Sequence, residues 1–232
     1  MDTKDNKTPP IAGETPSNQS IYPTMITAHA GAEGTAANTP ESLRAMLMTD
    51  ADAIEVDVRK LDGTLILSHD APAGGTACTT LEEALALLKA FPRVKMNIDI
   101  KTPGLITDIL ALAHGAGIAD RLLMTGDVGP DDYGVILESE VPLWLNHYLL
   151  PISAWDDPVQ GAEKLGFFTV NIDKRMLTEH MLKQASRLSV WTVNDEETLR
   201  RLLSAGVKNI TTRKPLLALR LRSEIQNPPA QK

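Results

Sequence analysis

Six residues in the first half of the 232-residue chain could do phosphate or metal chemistry: His29, Glu55, Asp57, His69, Asp99 and Lys101. Glu55 and Asp57 are two apart, as are Asp99 and Lys101, and side chains two apart on a β-strand share a face. Three carboxylates gathered on one side repel each other unless a cation compensates, and such hard oxygen ligands suit Mg²⁺ or Ca²⁺ better than zinc. Imidazole titrates near neutral pH, so His29 and His69 beside this set could act as general acid and general base. Each feature also has a plainer reading. A Glu-x-Asp pair is common on solvated or salt-bridged strand edges, and a single histidine at a strand end is ordinarily a hydrogen-bonded structural group. The chemical reading gains from coincidence, because all these groups fall at the same end of expected strands.

The elements that must hold them alternate. β-Rich runs recur at 24–29, 53–58, 94–101, 121–126, 142–147, 167–172, 189–194 and 207–212, most of them near-continuous apolar runs of the kind buried on both faces. Helix start signals lie between them. Thr39-Pro40 offers an N-cap followed by proline, Thr80 and Glu83 form a capping-box pattern, and Asn194 and Glu197 stand similarly before Leu199, Leu202 and Leu203. Further helices are expected near 104–114, 130–138, 157–165, 178–186 and 215–223. Eight alternations predict an α/β chain folded as a (β/α)₈ TIM-type barrel, with a doubly wound open sheet as the structural alternative. One stretch departs from the alternation. Asp62-Gly63 lies between two apolar runs and signals a β-hairpin after the second strand, which would return His69 to the level of Glu55 and Asp57. Barrel active sites lie at the C-terminal ends of the strands, where these residues fall.

Residues 1–22 are rich in Thr, Pro, Asn, Ser and Lys and are read as a flexible N-terminal arm, with the barrel over 23–225 and a C-terminal tail over 226–232. A body of about 210 residues makes a small barrel, since such folds span roughly 200 to more than 400. With 23 basic and 30 acidic side chains the net charge is −7, which argues against a nucleic-acid binder. No apolar run is long enough for a membrane span and no apolar signal core opens the chain, so a cytoplasmic location is expected. Cys78, the only cysteine, has no visible activating base. His114, His147 and His180 read as structural or solvated groups, and Gly74-Gly75 as a loop without a phosphate-binding fingerprint.

Five motifs, HAGAEGTAANTPESL, IEVDVRKLDGTLILSHD, MNIDIK, VWTVND and GVKNITT, occur in the order found in the glycerophosphodiester phosphodiesterase family, which the chain resembles from about Met25 to Pro215. The resemblance implies a TIM-type barrel that holds one divalent cation, Mg²⁺ or Ca²⁺, and hydrolyses glycerophosphodiesters to an alcohol and glycerol 3-phosphate. It implies His29 and His69 as the acid/base pair, and Glu55, Asp57 and Asp99 as metal ligands, with Asp99 where the family usually has Glu. Lys101 would face the phosphate, and Trp191 and Asn194 would shape the pocket. The family's His-Arg-Gly is His29-Ala30-Gly31 here and its Glu-Asn-Thr is Ala37-Asn38-Thr39, so this chain lacks an arginine and a carboxylate at those places. Arg213, where the family has Asp, is read either as supplying a cationic group in place of the arginine that Ala30 replaces or as a solvated arginine at the rim. Only nine residues, 71–79, follow His69-Asp70 before Thr80, where the family usually carries an insertion, so a more open pocket is implied. The expected partner is a small-molecule phosphodiester; the oligomeric state is left open. Two other readings remain: a sphingomyelinase D-like lysophospholipase, and a catalytically weak barrel that binds a phosphorylated ligand.

Overall fold

A computed structural model describes residues 23–73 and 75–227; the expected N-terminal arm, Gly74 and residues 228–232 lie outside the described residues. The strands are β1 (Met25–Ala28), β2 (Ala53–Leu61), β3 (Thr64–Leu67), β4 (Lys95–Ile100), β5 (Leu122–Gly126), β6 (Trp144–Asn146), β7 (Thr169–Asp173), β8 (Leu188–Trp191) and β9 (Asn209–Thr212). Eight of them pair in parallel in the order β5-β4-β2-β1-β9-β8-β7-β6, with β3 antiparallel on β2. A parallel bridge from Met124 to Leu143 joins β5 to β6 and closes the ring. The result is the expected (β/α)₈ barrel.

Its helices are α1 (Pro40–Leu47), α2 (Leu81–Lys89), α3 (Ile106–Ala116), α4 (Pro130–Glu138), α5 (Pro158–Glu163), α6 (Glu196–Ala205) and α7 (Pro215–Gln226). The Thr39 side chain caps α1 by accepting from Ser42 N, and Thr80 with Glu83 closes a reciprocal capping box on α2. These caps satisfy amides that a helix leaves unpaired in its first turn.

Three expectations need correction. The helix expected over 178–186 is a 3₁₀ segment, Met181–Arg187, kinked at Gln184. It buries only Met181 and Ala185, too small an apolar face to propagate an α-helix. The cap of α6 is Asp195, whose side chain accepts from Thr198 N at 2.9 Å, and not Asn194. The C-terminal boundary also moves, because Gln226 belongs to α7 and exchanges two 2.9 Å bonds with Thr24 beside β1.

The strands are buried on both faces, but the two faces differ in chemistry. One carries Ile54, Val56, Ile98, Ile100, Val170, Ile172, Val190 and Ile210, fully buried in the apolar layer shared with the helices. The other points into the barrel and carries Thr27, Asn97, Asn171, Ser189 and Asn209, equally buried. The β2–β3 turn places Asp62 at φ 47° and Gly63 at φ 83°, two left-handed residues as a type I′ hairpin requires. Ser68 N bonds Asp57 O at 3.0 Å, so His69 returns to the level of Asp57 as the sequence predicted. No helix among the described residues is long and apolar enough to cross a membrane.

Candidate active site

The strand register assembles the site. Glu55 sits opposite Asn97, and Asp57 opposite Asp99, across the β2–β4 ladder, while Asp99 is level with Thr125 on β5. Ligand atoms of Glu55, Asp57 and Asp99 all lie within 4.8 Å of one another. Such crowding is possible because β5 ends at Gly126, at φ 101°. A Cβ there would come within 2.6 Å of Asp99 Oδ1 and would collide with the Ile100 backbone, so only glycine fits beside the carboxylate.

Lys101 answers part of the charge. Its Nζ lies 2.8 Å from Asp57 Oδ1 and 2.5 Å from Asp99 Oδ2, and its side chain is 16 % exposed. Burial disfavours its ammonium, but Asp99 and Asp57 outweigh that and raise its pKa above the usual lysine range. Asp57 is pulled down despite burial, by the Lys101 ammonium and the Asn38 amide. Asp99 is raised, by burial and by the charge on Asp57, against the pull of Lys101. Glu55, nearly inaccessible to solvent, is raised well above an ordinary glutamate by burial and by both neighbouring aspartates. Fully ionised, the three carboxylates against one ammonium would carry two net negative charges. Among the described residues, buried Asp57 Oδ1 is met by the Lys101 ammonium alone. Three carboxylates gathered within 4.8 Å are a donor set that a divalent cation fits, at spacings near twice a metal–oxygen bond of roughly 2.0–2.6 Å.

The histidines flank this set from different elements. His29, just past β1, places Nδ1 2.9 Å from Ala30 O and 3.6 Å from Glu55 Oε2. Donation from Nδ1–H to that carbonyl leaves Nε2 as the basic nitrogen. Burial lowers the His29 pKa, opposed by the Ala30 bond and reinforced by Arg213. His69 is 64 % exposed at the rim, with Nδ1 2.9 Å from Asp70 Oδ1.

Both histidines, Glu55, Asp99, Lys101, Trp191 and Arg213 border one cavity of about 300 Å³ at the C-terminal mouth. Asp57 lies behind it, joined through Lys101. The Trp191 Nε1 is buried without a partner among the described residues. Arg213 also borders the cavity. Asn194 does not border it. Its Oδ1 accepts from Arg213 N at 2.8 Å and Thr212 Oγ1 at 3.3 Å, so it braces the strand end that carries Arg213. A larger hollow of about 780 Å³ lies at the opposite end, walled by Leu137, Trp144 and Phe168 with Lys95 and Lys208; none of the sequence-predicted site residues borders it.

Sequence reasoning missed two groups of residues. Asn38, at φ 61°, donates Nδ2 to Asp57 Oδ2 at 2.8 Å and accepts from Asp57 N at 3.1 Å. The carboxylate absent at Ala37 overshadows the amide beside it in the sequence. The second group is the neutral wall of Asn97, Thr125, Asn146, Tyr148, Asn171 and Thr211. Its only sequence signal is a polar residue at every second position of otherwise apolar strands. His147 is buried and packs edge-on to Tyr148 and Trp155, which agrees with its structural reading.

No family model matches the chain. A glycerophosphodiester phosphodiesterase of Arabidopsis thaliana (GDPD4) is 24% identical over 255 residues, covering 88% of this chain and 75% of its own length. Among solved structures, a putative glycerophosphoryl diester phosphodiesterase from Agrobacterium tumefaciens superposes with a TM-score of 0.76 at 18% identity, covering 89% of this chain and all of that one. A glycerophosphodiester phosphodiesterase from Parabacteroides distasonis gives 0.74 at 19%, covering 87% and 97%. An Oleispira antarctica phosphodiesterase, solved in complex with the product sn-glycerol-3-phosphate, gives 0.68 at 19%, covering 86% and 96%. These likenesses bear out the family resemblance carried by the motifs, and the barrel is the fold these proteins share.

Proposed function

We propose that this glycerophosphodiester phosphodiesterase-like barrel is a divalent-metal-dependent phosphoric diester hydrolase that cleaves glycerophosphodiester-type substrates to an alcohol and glycerol 3-phosphate. The observation that carries the reading is the convergence of His29, His69, Glu55, Asp99 and Lys101 on one small polar cavity, with Asp57 close behind them as the third carboxylate of the set. Glu55, Asp57 and Asp99 would hold one cation, Mg²⁺ or Ca²⁺, which when bound polarises phosphoryl oxygens and offsets their charge.

The chain's own groups supply the rest. Lys101 and Arg213 face the phosphoryl oxygens and stabilise the charge that grows there. His29 takes a proton at Nε2, because its Nδ1–H is committed to Ala30 O. The proton comes either from the attacking water or from a neighbouring substrate hydroxyl, in a cyclising step whose cyclic phosphodiester a water then opens to glycerol 3-phosphate. His69, held by Asp70 at the solvent-facing rim, returns a proton to the departing alkoxide. Asn38 keeps Asp57 turned toward the ligand set through its paired bonds. Trp191 walls the cavity against water.

The test is hydrolysis of glycerophosphocholine, lysophosphatidylcholine and an aryl phosphodiester, with Mg²⁺, Ca²⁺ or chelator. Metal-dependent release of alcohol that His29→Ala and His69→Ala both abolish is the expected result. Cleavage confined to the lysolipid would favour a sphingomyelinase D-like enzyme. Tight divalent binding without turnover of any diester would leave a barrel that only binds phosphorylated ligands.

A further inference from the structure

Across the cavity from the carboxylates, polar side chains join in one direction around the barrel interior. Thr27 Oγ1 donates to Asn209 Oδ1 (2.7 Å), Asn209 Nδ2 to Ser189 Oγ (3.0 Å), and Ser189 Oγ to Asn171 Oδ1 (2.8 Å). Asn171 Nδ2 then donates to Asn146 Oδ1 (2.7 Å), Asn146 Nδ2 to Tyr148 Oη (2.6 Å), and Tyr148 Oη to Asp127 Oδ1 (2.8 Å). Register supports this order of bonds, since Asn146 pairs with Asn171, Asn171 with Ser189 and Ser189 with Asn209.

The direction fixes what the end of the chain can offer. A phenol has one proton, and that of Tyr148 is committed to a carboxylate. Burial and the Asp127 bond raise the Tyr148 pKa, so the proton stays on the phenol. The remaining lone pair of Tyr148 Oη can only accept. Asp127 makes no ion pair among the described residues, and its other oxygen has no hydrogen-bond donor among them. Tyr148 borders the cavity, 41 % exposed, and Asp99 lies near enough to contribute to its raised pKa. Asp127 stands behind Tyr148 and outside the cavity lining, so this wall offers one acceptor, backed by an uncompensated negative charge, to a substrate arm directed toward it.

We propose that Tyr148 and Asp127 form a specificity element that selects phosphodiesters whose alcohol arm ends in a primary ammonium group. An ammonium brings donors and the opposite charge; a neutral hydroxyl matches the Tyr148 acceptor but not the charge, and an anionic arm is repelled. The inference rests on the phosphodiesterase reading and deepens it.

The test compares kcat and KM for glycerophosphoethanolamine, glycerophosphoglycerol and glycerophosphoserine, with the divalent cation saturating, in the wild type, Asp127→Asn and Tyr148→Phe. The wild type should favour the aminoethyl diester. Asp127→Asn should cut the aminoethyl-to-glycerol ratio of kcat/KM roughly fivefold, the scale of a partly screened charge pair, with the loss falling on KM. Tyr148→Phe should cut it less. A wild type that prefers the glycerol diester, or a ratio unmoved by Asp127→Asn, overturns the inference while the phosphodiesterase reading stands. No turnover of any diester under any cation overturns both. The wild-type ranking needs no variant to fold.

Discussion

The barrel wall is two half-circles of unlike chemistry. From β1 through β2 and its hairpin to β4, the interior is charged: His29, Glu55, Asp57, His69, Asp99 and Lys101 crowd together, with Glu55 and Asp57 nearly inaccessible to water. From β6 to β9 it is mostly neutral, a run of amides and hydroxyls that satisfy one another, with Asp173 at the end of β7 paired to Arg175. The first half is self-opposing and depends on Lys101 and, when bound, a cation. The second is settled internally along its strands and is open only at its Tyr148–Asp127 end. Buried charges without full compensation are costly, whereas a completed hydrogen-bond network is close to neutral or mildly stabilising. A site of this kind confines its strain to the half where chemistry is done and uses the other as a rigid counter-wall.

Changes in the charged half should therefore be the most disruptive. The largest effect is expected from His69→Ala, a fall in kcat of about 10²–10⁴ with the folded structure kept, because His69 is mostly exposed; steady-state kinetics beside a melting curve would show it. Next comes Lys101→Met. Removing one partner of a buried pair costs on the order of 3 kcal/mol, so in chelator the variant should melt well below the wild type, and saturating Mg²⁺ or Ca²⁺ should restore much of the difference. An unchanged melting temperature in chelator would contradict the role given to Lys101.

The charged half should also set the pH response. Glu55 in the folded protein holds its proton above the ordinary value of 4.5, so its contribution to stability is fully present below that value and is lost as pH rises through the folded pKa. Metal-free protein should lose stability on this account toward neutral pH, and Glu55→Gln should flatten the loss. Cation binding should release a proton, which calorimetry in buffers of different ionisation enthalpy would detect.

In the neutral half the expected numbers are smaller. Ser189→Ala leaves Asn171 and Asn209 each short of a partner and should cost about 1–3 kcal/mol in denaturant unfolding. Outside both halves, Asp195→Ala removes the α6 cap and should cost about 1 kcal/mol. If Ser189→Ala proved as damaging in chelator as Lys101→Met, the contrast between the halves would collapse.

The same contrast governs what could be read from sequence. Charged residues two apart at strand ends announce themselves, and so do Asp62-Gly63 and the Thr80/Glu83 box, whose signals are local. The neutral wall was nearly silent, because Asn171, Ser189 and Asn209 look like interruptions in apolar strands until a register makes them neighbours. Asn38 was invisible for a related reason: its partner Asp57 is nineteen residues away and the pairing depends on a left-handed backbone. The Asn194 cap and the 178–186 helix failed on local competition. Asp195 offers the same capping chemistry one residue later, and the 178–186 stretch has helical spacing but little to bury.

One consequence concerns the seam of the ring. β5 and β6 are joined by a single bridge, Met124 to Leu143, where the other neighbouring barrel strands share ladders of at least two residue pairs. Amide hydrogens beside this join should be the first in the barrel to exchange with solvent, by a local parting that leaves the other ladders intact. Asp127 follows one of the parted strands and Tyr148 the other, so their side-chain bond acts as a clasp across the gap. A molecule gripped by that pair would hold the ring shut, and its departure would let the wall breathe.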